Sequence, residues 1–548
     1  MSRRLFGKGN RAENPAFASL RCSFYAKIAA ISAARIARKA MAQNRKSRRA
    51  AASRGTAQKS APSAPQKAAG APPDGKAEVI DPKTVFQAGL AHYNAGRHAE
   101  AEIVFRRLIA VLEKGAAPPS RDVSLAQALN ALGVMMRVQH RYPEAIALYE
   151  RALQLDDKNP GVFSNLGNAL KDAHELDGAI EAHRRALALS PNDAKINHNL
   201  GVSLVQAGRF AEGIAAYDKA LSITPDFPDA AWDRARALLY LGDFKRGWPA
   251  YEARWELAEQ KGRKKPGTQW RGEDFAGKRL FIYGEQGFGD SIQCMRYLPL
   301  VKARGGTVIF ECQPTLMPLA EGLGADELVP RVPGTPPPQY DLIIPLLSLP
   351  EIFTPDLASI PAEVPYLRTP PGRAAKFDDV FARAGQKLKV GIVWSGSITF
   401  KGNRDRALRL ATFLRHFTLP NVQLYSLQKG PPEVELKLAP RDAPIIDLAP
   451  LLGDFADTAA ALDGLDLVLM TDSAVAHLAG AMNRPVWVLI SFVAHWLWLA
   501  DREDSPWYPS MRFFRQVRPG EWGPAMDQAR AELEAVAAGD RSRLLPRR

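Results

Sequence analysis

Residues 164–170 read SNLGNAL. The same frame returns 34 residues earlier as NALGVMM (130–136) and 34 residues later as HNLGVSL (198–204). Outward from the shared Gly133, Gly167 and Gly201, a small residue stands twelve positions on in every copy: Ala145, Ala179 and Gly213. Four further on come Tyr149, His183 and Tyr217, and three beyond those Ala152, Ala186 and Ala220. Pro191 and Pro225 close two of the units. Small residues at fixed places are what two helices need where they cross closely. A unit this short cannot bury its apolar face alone, so its copies must stack. Gly89, Ala101 and Phe105 fit an earlier unit, followed by an inserted loop near GAAPPSRD (115–122), and Ala235, Gly247 and Tyr251 fit a later one. The frame predicts about five helix pairs over residues 82–257.

This is the pattern of the tetratricopeptide repeat, an α-solenoid whose concave surface commonly binds peptide or protein. In protein O-GlcNAc transferases a ladder of asparagines on that surface holds the acceptor backbone. Asn165 and Asn199 occupy the matching place here, just before the Leu-Gly pair, with Asp233 and Ala131 in the neighbouring repeats. Two readings stand: acceptor-binding asparagines, or polar residues merely tolerated on an exposed helix.

The net charge of +15 suggests nucleic acid or membrane, but it is not spread over the chain. Residues 1–80 hold 17 Lys and Arg against 3 acids, and the remainder holds 56 against 55. The basic character therefore belongs to a tail whose Ala, Pro, Ser and Gly bury too little surface to offset ordering entropy, so it is expected to be disordered. It reads as a solvated polycation rather than an anionic-surface tether, and no nucleic-acid partner is expected. Met41 opens MAQNRKSRRAAASRG, which reads as a natural start in its own right. KIAAISAARIARKA is broken by Arg35 and Arg38, and PVWVLISFVAHWLWLA (485–500) is short and carries His495, so neither a signal peptide nor a transmembrane helix is predicted. The expected location is the cytoplasm. Cys22, Cys294 and Cys312 are scattered, with no C-x-x-C, and read as incidental thiols.

After residue 278 strand-like runs alternate with helical ones: RLFIYGE, TVIFEC and YDLIIPL, then a Pro-rich connector, PAEVPYLRTPPG. A second series follows: KVGIVWSG, VQLYSLQ, LDLVLMTD and PVWVLIS. The predicted class is α + α/β: a solenoid, then two Rossmann-like halves over 278–370 and 388–538 with a cleft between them. Ligands of open α/β sheets bind at the carboxyl ends of strands, and three motifs fall there. In GEQGFGD, Gly287 and Gly289 allow a tight turn and close ligand approach, and Asp290 stands either as a helix cap or as a general base. In MTDSAVAH, a helix N-terminus with Ser473 and His477 suits a diphosphate; Asp472 as a cap and His477 as a packed core histidine are the plainer alternative. In WSGSITFKGNRDR, Ser395 and Ser397 precede Lys401, Arg404 and Arg406, a set suited to a leaving diphosphate or simply a solvated basic loop.

Together, YGEQGFGDSIQCMRYLPL, VGIVWSGS, LYSLQKG, DLVLMTDSAVAHLAGAMNRPVWVLI and DSPWYPSMRFFRQ resemble the ADP-heptose:lipopolysaccharide heptosyltransferase family. The chain is more similar still to bacterial proteins that join tetratricopeptide repeats to a heptosyltransferase-like domain. That resemblance implies a GT-B fold and inverting transfer from a nucleotide sugar, with no metal and no cofactor. It also implies Asp290 as base, Asp472, Ser473 and His477 around the diphosphate, and Ser395, Ser397 and Lys401 against phosphate. Relatives often read W-R-W where this chain has Trp496-Leu497-Trp498, so an arginine is missing near the donor site. No convincing D-x-D stands at a strand end, and a helix dipole plus Lys or Arg can replace a metal. The repeats favour a protein acceptor, with flagellin as the example the resemblance offers. A polysaccharide or lipopolysaccharide transferase and a non-catalytic scaffold are the alternatives, and Leu497 leans toward the scaffold. Solenoids of this type often self-associate, which leaves a homo-oligomer open.

Overall fold

The computed structural model describes residues 81–546, apart from 115–120, 401 and 441. The basic tail, Cys22 and Lys401 lie outside the described residues. Five antiparallel helix pairs come first: α1 (Pro82–Asn94) with α2 (His98–Lys114), α3 (Arg121–Val138) with α4 (Tyr142–Leu155), α5 (Pro160–Asp172) with α6 (Leu176–Leu189), α7 (Ala194–Gln206) with α8 (Phe210–Ile223), and α9 (Pro228–Tyr240) with α10 (Phe244–Tyr251). The first helix of a pair often starts on a side-chain cap: Asp81 accepts from the N–H groups of Lys83 and Thr84, Asn159 from Gly161 and Val162, and Asp193 from Ile196. Between the helices of a pair the chain turns through one left-handed residue. His140 (φ 61°), His174 (φ 65°), Gly208 (φ 76°) and Gly242 (φ 78°) hold that place in successive pairs.

The repeated glycine has a steric reason. A Cβ on Gly133 would stand 2.7 Å from the Tyr149 ring, one on Gly167 2.6 Å from His183, and one on Gly201 2.5 Å from Tyr217. The ring of the second helix thus lies directly under the first helix, at a distance no other residue permits.

Two all-parallel sheets follow. β1 (Arg279–Tyr283), β2 (Thr307–Cys312), β3 (Glu327–Pro330) and β4 (Leu342–Pro345) lie in the order β3-β2-β1-β4. β5 (Leu388–Val393), β6 (Val422–Ser426), β7 (Ile445–Asp447), β8 (Leu467–Thr471), β9 (Val486–Ile490) and β10 (Met511–Arg515) lie in the order β10-β9-β8-β5-β6-β7. β1, β2, β4, β5, β6, β8 and β9 are the seven strands the sequence predicts; β3, β7 and β10 add to them. Strand order reverses between β1 and β4 and again between β5 and β8, so the crevices at those carboxyl ends are where such sheets take ligands. The turns after β1, β5 and β8 carry the three motifs.

The solenoid does not end free of the sheets. Leu239, Tyr240, Phe244, Trp248 and Tyr251 belong to the same buried cluster as β1, β2, β8 and β9 side chains. Trp248 Nε1 donates to the Thr354 carbonyl at 2.7 Å, the Ala500 N–H to the Tyr240 carbonyl at 3.0 Å, and Arg515 to the Tyr240 hydroxyl at 2.7 Å. Among the described residues no helix is long and apolar enough to cross a membrane.

Candidate functional site

The β1 turn leads into α11 (Phe288–Cys294), and the β8 turn into α12 (Ala474–Ala481). The two helices pack against each other. Neither Gly287 nor Gly289 has positive φ. Gly287 is extended and caps α11. Gly289 gives room to a side chain rather than to a ligand: a Cβ there would stand 2.9 Å from Cδ2 of His477.

Asp290 accepts a hydrogen bond from the Gly287 N–H at 3.1 Å, so its carboxylate does close the first turn of α11. It is half-buried and faces a small cavity shared with His477, Gln293, Trp248, Tyr251 and Trp496. Burial pushes its carboxyl up to about 6 against the pull of the Gly287 N–H; nearby Asp472 pushes the same way, and Arg406 opposes.

Ser473, in extended backbone, is the cap residue of α12, and its hydroxyl makes no capping bond. Asp472 does not cap that helix. It is buried and takes the Arg406 guanidinium on Oδ2 at 3.3 Å. Burial pushes the Asp472 carboxyl up, but Arg406, His495 and His477 outweigh it and hold the group below its usual range. His477 is buried, its ring centroid 4.8 Å from that of Trp498 and its Nδ1 3.1 Å from the Tyr508 hydroxyl. Burial lowers it to about 4, so the imidazole is neutral at physiological pH. A Tyr508 hydroxyl that donates to Nδ1 leaves the ring proton on Nε2, beside Gly289.

The β5 turn comes alongside through Arg406. That guanidinium stacks on Phe400 at 4.6 Å and lies so close to Gly396 that a Cβ there would meet Nη2 at 2.8 Å. Its Nε is buried with no partner among the described residues. Ser395 is held inside a structural network instead: its N–H donates to Gln428 Oε1 at 3.0 Å, and its hydroxyl accepts from Asn403 Nδ2 at 3.1 Å. Ser397 is exposed and pairs with Thr399 at 2.8 Å. The structure thus brings Asp290, Asp472, His477 and Arg406 together, with the free Ser473 hydroxyl at the edge.

Asn165 and Asn199 lie on the solenoid and serve its stacking. Asn165 Nδ2 donates to Asn130 Oδ1 (2.9 Å) and Asn199 Nδ2 to the Ser164 hydroxyl (3.1 Å), while His198 Nε2 meets Asp233 Oδ2 (3.0 Å). Each rung joins one repeat to the next, and each of the two asparagines keeps its amide oxygen and one amide N–H for a bound chain. A larger cleft of about 620 Å³ lies between the solenoid and the second sheet, with Gln206, Asp233 and Arg236 on one wall and Arg406, Asp472 and Phe492 on the other; Asn165 and Asn199 do not line it. His495 and Trp496 line both this cleft and the Asp290 cavity, and so partition them.

Sequence reasoning did not single out Trp248, Gln293 and Arg254; it used Tyr251 only as a repeat position and His495 only against a membrane span. Arg254 is fully enclosed, bonded to Glu252 (2.6 Å), Ser348 (2.8 Å) and Glu285 (3.2 Å) on the turn that carries Asp290. One signal was available: α10 carries Trp248-Pro249 where the frame elsewhere has Ile214-Ala215 and Ile180-Glu181.

The sequence matches the family models described as TPR repeat over residues 137–173 and as tetratricopeptide repeat over residues 164–231. Residues 137–231, within the helical region of this chain, are therefore tetratricopeptide repeats. Protein FlbA of Caulobacter vibrioides is 29% identical over 299 residues, which are 50% of this chain and 49% of that protein. The chain thus spans about half the length of the curated relative it matches. Among solved structures, MamA is 23% identical, covering 32% of this chain and 97% of its own, at a TM-score of 0.28. The pilF protein of Pseudomonas aeruginosa is 21% identical, covering 33% of this chain and 78% of its own, at a TM-score of 0.29.

Proposed function

We propose that the protein is an inverting glycosyltransferase whose two parallel-sheet lobes act as a GT-B pair. In this reading it moves a sugar from a nucleotide-sugar donor to a hydroxyl of a protein brought in by the solenoid. The observation that carries the reading is Asp290, a carboxylate facing a cavity where the β1 turn of one lobe meets the β8 turn of the other. A carboxyl at about 6 is a competent base at neutral pH and is still close enough to that pH to accept a proton in the transition state. The acceptor oxygen attacks the anomeric carbon as its proton passes to Asp290. The bond to the diphosphate breaks on the opposite face, and its electron pair leaves with the nucleoside diphosphate. Arg406, the Ser473 hydroxyl and the free N–H groups opening α12 meet that departing charge.

The test is Asp290→Asn, assayed by intact mass of acceptor protein with a panel of nucleotide sugars. Loss of a base predicts turnover down by about 10²–10⁴-fold, with donor affinity by calorimetry unchanged. Because the base must be ionised, wild-type kcat/KM rises with pH through about 6 and levels off above it. One observation favours a scaffold instead: the Asp290 carboxylate already serves Gly287 as a cap. An Asp290→Asn variant that loses donor binding or unfolds would support that second reading.

A further inference from the structure

Gln293 sits one helical turn beyond Asp290, 3% exposed, with its amide oxygen taken by the Cys294 thiol. Its Nε2 is buried without a hydrogen-bond partner among the described residues. A buried amide donor left unmade is costly, so its place beside a cavity asks for a ligand. The cavity it lines with Asp290 is also lined by His477 and His495 and by apolar and aromatic side chains, among them Trp248, Tyr251, Trp496 and Leu497. The room inside, about 10 Å³ open to a water's centre, is what a single water-sized group needs.

Two of its polar walls, Asp290 and Gln293, are complementary. An ionised carboxylate only accepts, and an amide nitrogen only donates. A hydroxyl does both at once, giving its proton to Asp290 and accepting from Gln293. The aromatic rim of Trp248, Tyr251 and Trp496 suits a methylene. A branched carbon adds a methyl group, for which a room that holds one water-sized group leaves no space.

We propose that this cavity is the seat of the attacking hydroxyl, that Gln293 is its hydrogen-bond donor, and that the seat selects serine over threonine. The proposal rests on the glycosyl-transfer reading. As the oxygen attacks the anomeric carbon, its proton goes to Asp290, the glycosyl–phosphate bond breaks, and the Gln293 N–H holds the oxygen on line. Without an acceptor, water fills the same seat and the donor is hydrolysed slowly.

The experiment uses the full chain, the donor identified by the nucleotide-sugar panel, and the acceptor protein whose mass increases. Gln293→Leu is expected to lower transfer by about 10–100-fold with donor affinity and thermal midpoint unchanged. Replacing the modified serine of the acceptor by threonine is expected to slow wild-type transfer at least about tenfold, a test that leaves the enzyme intact should Gln293→Leu fail to fold. Equal transfer by Gln293→Leu, or a native modified residue that proves to be threonine, would overturn the seat while leaving glycosyl transfer standing. Absence of any mass gain or donor hydrolysis by the wild type would remove both.

Discussion

The second, third and fourth repeats and the fifth share one sequence frame and do different things with it. In the earlier three, the ring of the second helix turns inward under a glycine of its own repeat. In the fifth, Ala235 stands in the glycine's place, and the Tyr251 ring packs on Trp232 at 4.8 Å and Trp496 at 5.9 Å, across the boundary with the sheets. Trp248, one turn before it, lies edge-on to Trp496 at 5.2 Å and hydrogen-bonds Thr354. A repeat period reports that helices stack; it does not report what the last helix stacks on.

The comparison breaks most visibly at matched positions. Trp248→Ala empties a site 2% exposed and frees the Thr354 carbonyl, and is expected to cost about 3–5 kcal/mol in urea unfolding. It should also alter the Asp290 cavity, which under the proposed glycosyl transfer is seen as altered turnover at unchanged donor affinity. Ile214→Ala, its counterpart in the fourth repeat, is expected to cost about 2 kcal/mol and leave transfer kinetics untouched. Equal effects on stability and kinetics would erase the distinction between these repeats.

A smaller effect separates the third repeat from its neighbours. His183 occupies the place of Tyr149 and Tyr217, with both ring nitrogens buried and unpartnered, and burial lowers it to about 3. The unfolded chain takes up that proton near 6.5, the folded chain far lower. Stability is therefore full above about 6.5 and lost as pH falls toward 3. His183→Phe removes the linkage. Its advantage over the wild type in thermal midpoint is expected to widen as pH drops from 7 to 5, and a constant difference would refute the assignment.

The smallest expected change lies at the turn between the paired helices. His174 sits at φ 65° where Gly208 and Gly242 serve the later repeats. His174→Gly is expected to gain about 0.5–1 kcal/mol by relieving the left-handed backbone, read from the urea midpoint. No gain would mean that the histidine side chain offsets its own strain.

Much of this was legible in advance, for reasons the particular residues show. The 34-residue frame was visible because Gly133, Gly167 and Gly201 are each forced by a ring beneath them. β1, β2, β5, β6, β8 and β9 were visible as apolar runs because parallel strands are covered on both faces. β7, of three residues, and β3, of four, were not: they sit at sheet edges, only partly covered, and carry too little pattern. Asp290, Asp472, His477 and Arg406 were legible because each follows a strand end. Gln293 and Trp248 were not, since one is an ordinary helix residue and the other belongs to a repeat, and only tertiary packing brings them to one cavity. The asparagines were recognised by position, but their amides bridge consecutive repeats, a relation no single repeat can reveal.

The rungs Asn130–Asn165, Ser164–Asn199 and His198–Asp233 make each repeat complementary to the one before it, while Tyr240, Trp248 and Tyr251 belong to the sheets. The solenoid is tied to the sheets well before its last pair, because Arg404 on the β5 turn donates to the Tyr142 hydroxyl of α4 at 2.8 Å. A recombination joint after residue 224 would divide a hydrophobic core in two, and loss of the second helix pair would strip a partner from the turn that carries Arg406.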